Sequence, residues 1–235
     1  MADVTRREIL AGIAAGVAAA ASSTAAAAEP LVPPAYAGGF EPRPLPFDPK
    51  ALRGLSERLI TSHHQNNYTG AVRRLNAIQA EIARLSADAP PFMTGALKRE
   101  ELVATNSMIL HELYFANLGG DGKPGANATA LLTPRYGSME RWERDFRTLG
   151  KSLAGGSGWA ILVWSPRDRT VQNTWAADHT ANLAGGTPLL VMDMYEHAYQ
   201  MDYGADAKSY IDAFFANVDW REVERRLAGV APAKI

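Results

Sequence analysis

From residue 56 onward the apolar positions keep a helical spacing to about residue 149 and then shorten to a strand period, and that change divides the chain. Leu75, Ile78, Ile82 and Leu85 recur at three- and four-residue steps, the period of a helix with one buried face. Ser56 stands where an N-cap side chain would open that helix, so the pattern predicts a helix from Ser56 to about Leu85. Ala89-Pro90-Pro91 interrupts it, and a second helical stretch is predicted from about Lys98 to Asn117, antiparallel to the first. Gly119-Gly120 and Gly122-Lys123-Pro124-Gly125 read as a long loop. Ser138 to Leu149 is helical again, with Trp142 and Phe146 on its apolar side. The period then shortens. Trp159 to Trp164 reads as a strand, and Thr170 to Ala176 as its partner across the Ser165-Pro166-Arg167-Asp168 turn. Leu189 to Asp193 reads as a third, central strand, and Tyr210–Ala216 and Arg221–Leu227 as closing helices. The fold class that follows is α+β: an antiparallel helical hairpin, then a small antiparallel three-stranded sheet, laid out as a meander and packed with helices.

Before residue 50 the pattern is of another kind. Thr5-Arg6-Arg7-Glu8-Ile9-Leu10 is followed by a run of Ala, Gly, Val, Ile, Ser and Thr to Ala28, the layout of a secretory signal peptide. Its paired arginines resemble the twin-arginine class of export signal, which carries proteins already folded around their cofactors. Ser22, Ser23 and Thr24 break the apolar stretch, which argues against a membrane span. The organisation expected is a signal peptide at 1–28, an extended arm at 29–49, a helical hairpin domain at 50–125 and an α+β domain at 133–230. Within the arm, Pro44-Leu45-Pro46-Phe47-Asp48 reads as a docking strand. A periplasmic or secreted location follows, with no stable membrane association after cleavage.

Composition removes several kinds of chemistry. Among 235 residues there is no cysteine, which excludes disulfide scaffolds, iron–sulfur clusters and thiol nucleophiles. Lys and Arg number 24 and Asp and Glu 25, a net charge of −1 that argues against a nucleic-acid surface or a polybasic membrane patch. Loss of residues 1–28 removes two charges of each sign and leaves that balance unchanged. No Glu-x-x-His pair is present for a di-iron bundle, no His-Glu-x-x-His for that class of zinc hydrolase, and no Gly-x-Ser-x-Gly elbow.

What remains are five histidines: His63, His64, His111, His179 and His197. His63 falls on the inner face of the first helix, on a stripe with positions 67 and 71 by the i, i+4 rule. His111 lies midway along the second helix among apolar neighbours, and His197 follows Asp193 by four residues. Imidazoles with one carboxylate suit an iron or manganese ion, and zinc as well.

The surrounding text is more specific. Asp193-Met194-Tyr195-Glu196-His197-Ala198-Tyr199 resembles the Asp-x-Trp-Glu-His-Ala-Tyr signature of the iron/manganese superoxide dismutase family. Gly156-Ser157-Gly158-Trp159 is similar to that family's Gly-Ser-Gly-Trp, and Val218-Asp219-Trp220 to its Val-Asn-Trp. Counting from Leu55-Ser56 without a gap, His63 and Leu75-Asn76 fall on family positions, so the resemblance spans about residues 45–230. It implies His63, His111, Asp193 and His197 as ligands of one iron or manganese ion per chain, iron slightly preferred, and superoxide as substrate. It further implies His179 as an outer hydrogen-bond partner, in the branch that places histidine where others have glutamine, and a homodimer with Glu196 at its interface.

The resemblance also has gaps. The family's gateway His and Tyr, four and eight residues after the first ligand, are Asn67 and Ala71 here, and its inter-subunit Tyr is Gln200. Tyr68 is the aromatic left nearby, and it is the second candidate catalytic residue beside His179. His64 has no family counterpart and reads as a solvated helix side chain. An alternative reading keeps the dismutase fold and the metal, with weak or no dismutase activity.

Overall fold

The computed structural model describes residues 34–230. The expected leader (1–28), the first arm residues (29–33) and the five residues after Val230 lie outside them. The described part of the arm is not a strand, contrary to expectation. It runs from a 3-10 turn, Pro34–Tyr36, through irregular backbone to a second one, Pro49–Ala51. Its polar backbone groups are met by helix side chains. The Gly38 and Phe40 amides donate to the side chains of Gln79 (3.1 Å) and Asn76 (3.0 Å). Asn76 Nδ2 donates back to the Phe40 carbonyl at 2.9 Å.

The first long helix opens as predicted, with Ser56 Oγ accepting from the Leu59 amide at 3.0 Å. It is not uniform. After Glu57–Ser62 (α1) comes a π-helical turn, His63–Tyr68, before regular helix resumes at Thr69–Arg84 (α2). The wider turn breaks the expected stripe of 63, 67 and 71: its buried members are His63 and Tyr68, five apart, while Asn67 is half-buried. The second helix, Pro91–Ala116 (α3), begins at Pro91 rather than near Lys98. Pro91 takes the first helical position, where its fixed φ suits the helix and its missing N–H costs nothing. Helix α3 packs on α2 along one side and on the sheet along another, which buries Ser107, His111 and Tyr114 in its second half.

Residues 126–136, for which the sequence pattern offered no element, form a helix, Ala126–Tyr136 (α4). Only Ala128 and Leu132 are buried on it, too few positions to show a period. Met139–Ser152 (α5) follows, capped by Ser138. The strands are Trp159–Ser165 (β1), Thr170–Ala176 (β2) and Thr187–Asp193 (β3), both pairings being antiparallel. Their order is β2-β1-β3, so β1 is central, β3 is at an edge, and the sheet is not a meander. The long 177–186 connection lets β3 cross to the far side of β1, where α3 and a closing helix cover it and make its residues look central.

The chain finishes with Gln200–Tyr203 (α6), Ala207–Ala216 (α7) and Trp220–Val230 (α8). Arg226 on α8 ties helix to sheet, donating to the carbonyls of Leu189 (3.0 Å) and Leu113 (3.2 Å). A single core runs from Leu59 and Tyr114 in the hairpin to Trp142, Trp159 and Phe214. Among the described residues no helix is long and apolar enough to cross a membrane.

Candidate metal centre

Four predicted side chains from four separate places meet at one point. His63 opens the π turn, His111 sits within α3, Asp193 ends β3, and His197 lies in the 3-10 turn Glu196–Ala198. Each offers one ligand atom, and the four atoms lie within 4.8 Å of one another. Asp193 Oδ2 is their centre, 3.2 Å from His63 Nε2, 3.2 Å from His197 Nε2 and 3.6 Å from His111 Nε2.

Outside this meeting point, His111 and Asp193 are held by hydrogen bonds, whereas His63 Nδ1 is buried without a partner. His111 Nδ1 donates to the Ser107 carbonyl one turn earlier, at 2.6 Å, which leaves Nε2 with its lone pair. Asp193 Oδ1 accepts from the Tyr195 amide at 2.8 Å, and the Asp193 carbonyl accepts from Tyr210 Oη at 2.6 Å. By contrast, His63 Nε2 and His111 Nε2 are buried without a hydrogen-bond partner. Their approaches to Asp193 are close but misaligned for a hydrogen bond. The lone pairs converge on a common point rather than on one another, and unpaired buried nitrogens of this kind are costly unless something coordinates them.

Electrostatics point the same way. Burial pushes the His63 and His111 imidazoles below their usual pKa, His111 to about 3, so both are neutral and able to coordinate near pH 7. Burial alone would raise the Asp193 carboxyl, but the His197 and His63 imidazoles outweigh it and hold the group below the usual carboxylate range. The neutral His63 and His111 imidazoles, the His197 imidazole and the Asp193 carboxylate together make a donor set of three nitrogens and one oxygen, buried except at His197. The donor set and its orphaned nitrogens fit a divalent or trivalent transition metal ion.

His179 lies in the β2–β3 connection with its ring 6.2 Å from that of His111. Trp159 Nε1 donates to His179 Nδ1 at 3.0 Å, so a neutral His179 carries its proton on Nε2. Trp159 is placed for this by the ladder, which sets it between Ala176 and Asp193 at one end of the sheet. Tyr195 stacks on His179 at 4.9 Å and on His197 at 5.3 Å, and burial pushes its phenol up to about 12.

Tyr68 is buried with its ring 6.5 Å from His111. Its hydroxyl is engaged elsewhere: Oη donates to Glu112 Oε1 at 3.0 Å and accepts from the Arg43 amide at 2.8 Å. His64 is not merely solvated. Its Nε2 donates to the Arg43 carbonyl at 2.8 Å, and with Tyr68, Glu112, Phe115 and Arg43 it lines a cavity of about 130 Å³ beside the arm. Ala71 is buried, while Glu196 and Gln200 are exposed.

Ser107, Trp159 and Tyr210, which hold His111, His179 and Asp193 respectively, were not assigned those roles from the sequence. The Ser107–His111 spacing of four is a signal that was legible, since a helical imidazole can reach the carbonyl one turn back. The other two needed the sheet register and the docking of α7.

Residues 124–226 match the sequence pattern of the C-terminal domain of iron/manganese superoxide dismutases. The chain is 54% identical over 190 residues to an iron superoxide dismutase of Cupriavidus metallidurans, covering 80% of this chain and 96% of that protein. It is 32% identical to a manganese superoxide dismutase of Halobacterium salinarum over 197 residues, 82% of this chain and 96% of the relative. An iron superoxide dismutase of Pyrobaculum aerophilum is also 32% identical, over 78% of this chain and 90% of its own length.

Proposed function

The chain belongs to the iron/manganese superoxide dismutase family, and from that premise we propose that it disproportionates superoxide at a mononuclear centre held by His63, His111, Asp193 and His197. The observation that carries the assignment of these four residues is the convergence of unpartnered, neutral imidazole nitrogens on one buried carboxylate oxygen. A bound iron or manganese ion supplies one-electron chemistry, trivalent to divalent and back, so that two superoxide anions and two protons become O2 and H2O2.

The protein's part is to hold and to tune. The Ser107 carbonyl fixes the tautomer of His111, and the Tyr195 amide and Tyr210 hydroxyl fix Asp193. His179 presents Nε2–H beside the centre because Trp159 occupies Nδ1, and it serves as the outer hydrogen-bond donor and proton-bearing group. Tyr68 acts at one remove, its hydroxyl proton being held by Glu112.

Iron is the preferred ion, supported by the 54% identical iron-named relative. A homodimer is supported by exposed Glu196 and Gln200 next to His197, whose side chain keeps 27% exposure while the other three are buried. Export through the twin-arginine route rests on residues 1–28; replacing Arg6-Arg7 with Lys-Lys should trap the unprocessed chain inside the cell.

Elemental analysis of the purified mature chain, with a superoxide-removal assay, tests the central reading. About one iron or manganese per chain and rapid turnover are expected, with both lost in Asp193→Ala. Wild-type metal content in Asp193→Ala would defeat the ligand assignment. A metal-replete wild type with negligible turnover would favour a metal-holding protein of weak activity, the reading that Asn67 and Ala71 at the gateway and the engaged Tyr68 hydroxyl support.

A further inference from the structure

We propose that Asn106 is a positioning residue for His179, setting from helix α3 the distance at which the His179 imidazole stands from the metal centre. The proposal rests on the role given to His179 above and adds the group that fixes it. Asn106 Nδ2 donates to the backbone carbonyl of His179 at 2.6 Å, a contact between residues 73 apart in sequence. It is the link that ties the His179 backbone directly to the element carrying His111.

The need for such a tie follows from where His179 sits. It lies between β2, which ends at Ala176, and β3, which starts at Thr187, outside the ladder that orders both strands. The Asp178 bonds turn the backbone locally, and the Ser157 bond anchors the start of the connection, two residues before His179, to the segment leading into β1. Asp178 Oδ1 accepts from Thr180 N and Oγ1, both at 2.6 Å, and Ser157 Oγ donates to the Ala177 carbonyl at 3.1 Å. The ring is gripped by Trp159 Nε1–H and by the face of Tyr195, two contacts that act on the side chain and permit sliding along the stacking plane. The Asn106 amide supplies the missing constraint. It lies five residues before His111 on one rigid helix, so His111 and the backbone of His179 share a frame.

Trp159 closes the arrangement, since its indole contacts the His111 ring at 5.2 Å while donating to His179. If the loop moved off α3, the Trp159 donor would lose its acceptor inside the core and the Nε2–H tautomer of His179 would no longer be enforced. Outer groups that orient a metal site typically matter by about 10–100-fold, and a group acting through one of them belongs at the low end of that range.

Asn106→Leu removes the donor at similar volume, and Asn106→Gln restores a donor on a longer stem. With metal content equal to wild type, Asn106→Leu should lower kcat by about tenfold with little change in KM. It should also shift the reduction potential of the bound ion in the same direction as His179→Ala. In the metal-free chain the Trp159 indole N–H should exchange faster with solvent, a readout independent of turnover. Asn106→Gln should recover part of each effect, and Asn106→Leu should add nothing in a His179→Ala background. Wild-type potential and indole exchange in Asn106→Leu, or additive effects in the double variant, would overturn the positioning role while leaving His179 in place. An unchanged potential and kcat in His179→Ala would instead remove the role of His179 itself, and this proposal with it.

Discussion

At the residue scale the centre is an exercise in keeping nitrogen lone pairs neutral, buried and aimed. An imidazole in water titrates near 6.5, whereas His111 in its packed position titrates at about 3 because burial disfavours its charged form. The consequence for the metal-free chain has a definite sign. Between those two values the unfolded chain binds a proton at this residue that the folded chain refuses, so acid favours unfolding. His63 adds to the effect in the same direction, and Asp193, held low in the fold, adds a further loss below the normal carboxylate range. The urea midpoint of metal-free protein should therefore fall steadily as pH drops from about 6.5 toward 3. A midpoint that stays level from pH 7 to pH 4 would contradict it. Metal binding should raise the midpoint near neutral pH and make its fall in acid steeper, because protonation of the ligands competes with coordination.

At the element scale two local irregularities shape the candidate centre. The π turn His63–Tyr68 inserts one residue into a helix that is otherwise regular from Glu57 to Arg84. Deleting exposed Gln65 should convert that turn to ordinary helix, which leaves His63 and Tyr68 four apart on one face but removes the wide turn that sets where the His63 ring meets His111 and His197. Helical circular dichroism should be nearly unchanged while bound metal falls below one per chain. Retained metal would show that the π turn is dispensable. The second irregularity is Gly158, at φ +140°, where a Cβ would overlap the Ala176 carbonyl oxygen. Gly158→Ala should cost about 2 kcal/mol or more in denaturant unfolding, because strain and overlap fall together at the start of β1. Since Trp159 follows directly, the same change should also disturb the His179 contact. The helical period and the Gly-Ser-Gly-Trp text marked both regions in the sequence. The extra residue of the π turn did not show, because a periodicity read from Leu75 to Leu85 says nothing about register two turns upstream.

At the scale of the whole molecule the centre joins the two halves of the chain, two ligands coming from the helical hairpin and two from the end of the sheet. One exposed flank remains, where His197 borders Glu196 and Gln200. Sedimentation equilibrium at micromolar concentration should give a dimer, and Glu196→Ala should shift it toward monomer with loss of turnover. A wild-type monomer would remove the proposed interface. Much of this molecule is determined by sequence alone. The apolar periods fix two long helices and three strands, since burial of one face is a local demand on spacing. The text around Asp193 and His197 marks the ligand region, because two ligands and their turn are contiguous there. Other features were decided only in three dimensions. Sheet order depended on which strand α3 and α8 could cover, the His179 tautomer on the Trp159 indole, and Tyr68's hydroxyl on the arm and Glu112. The tie between Asn106 and His179 spans 73 residues. Each of these is a contact between segments distant in the chain, and their geometry is set by packing, which no pattern of neighbouring residues records.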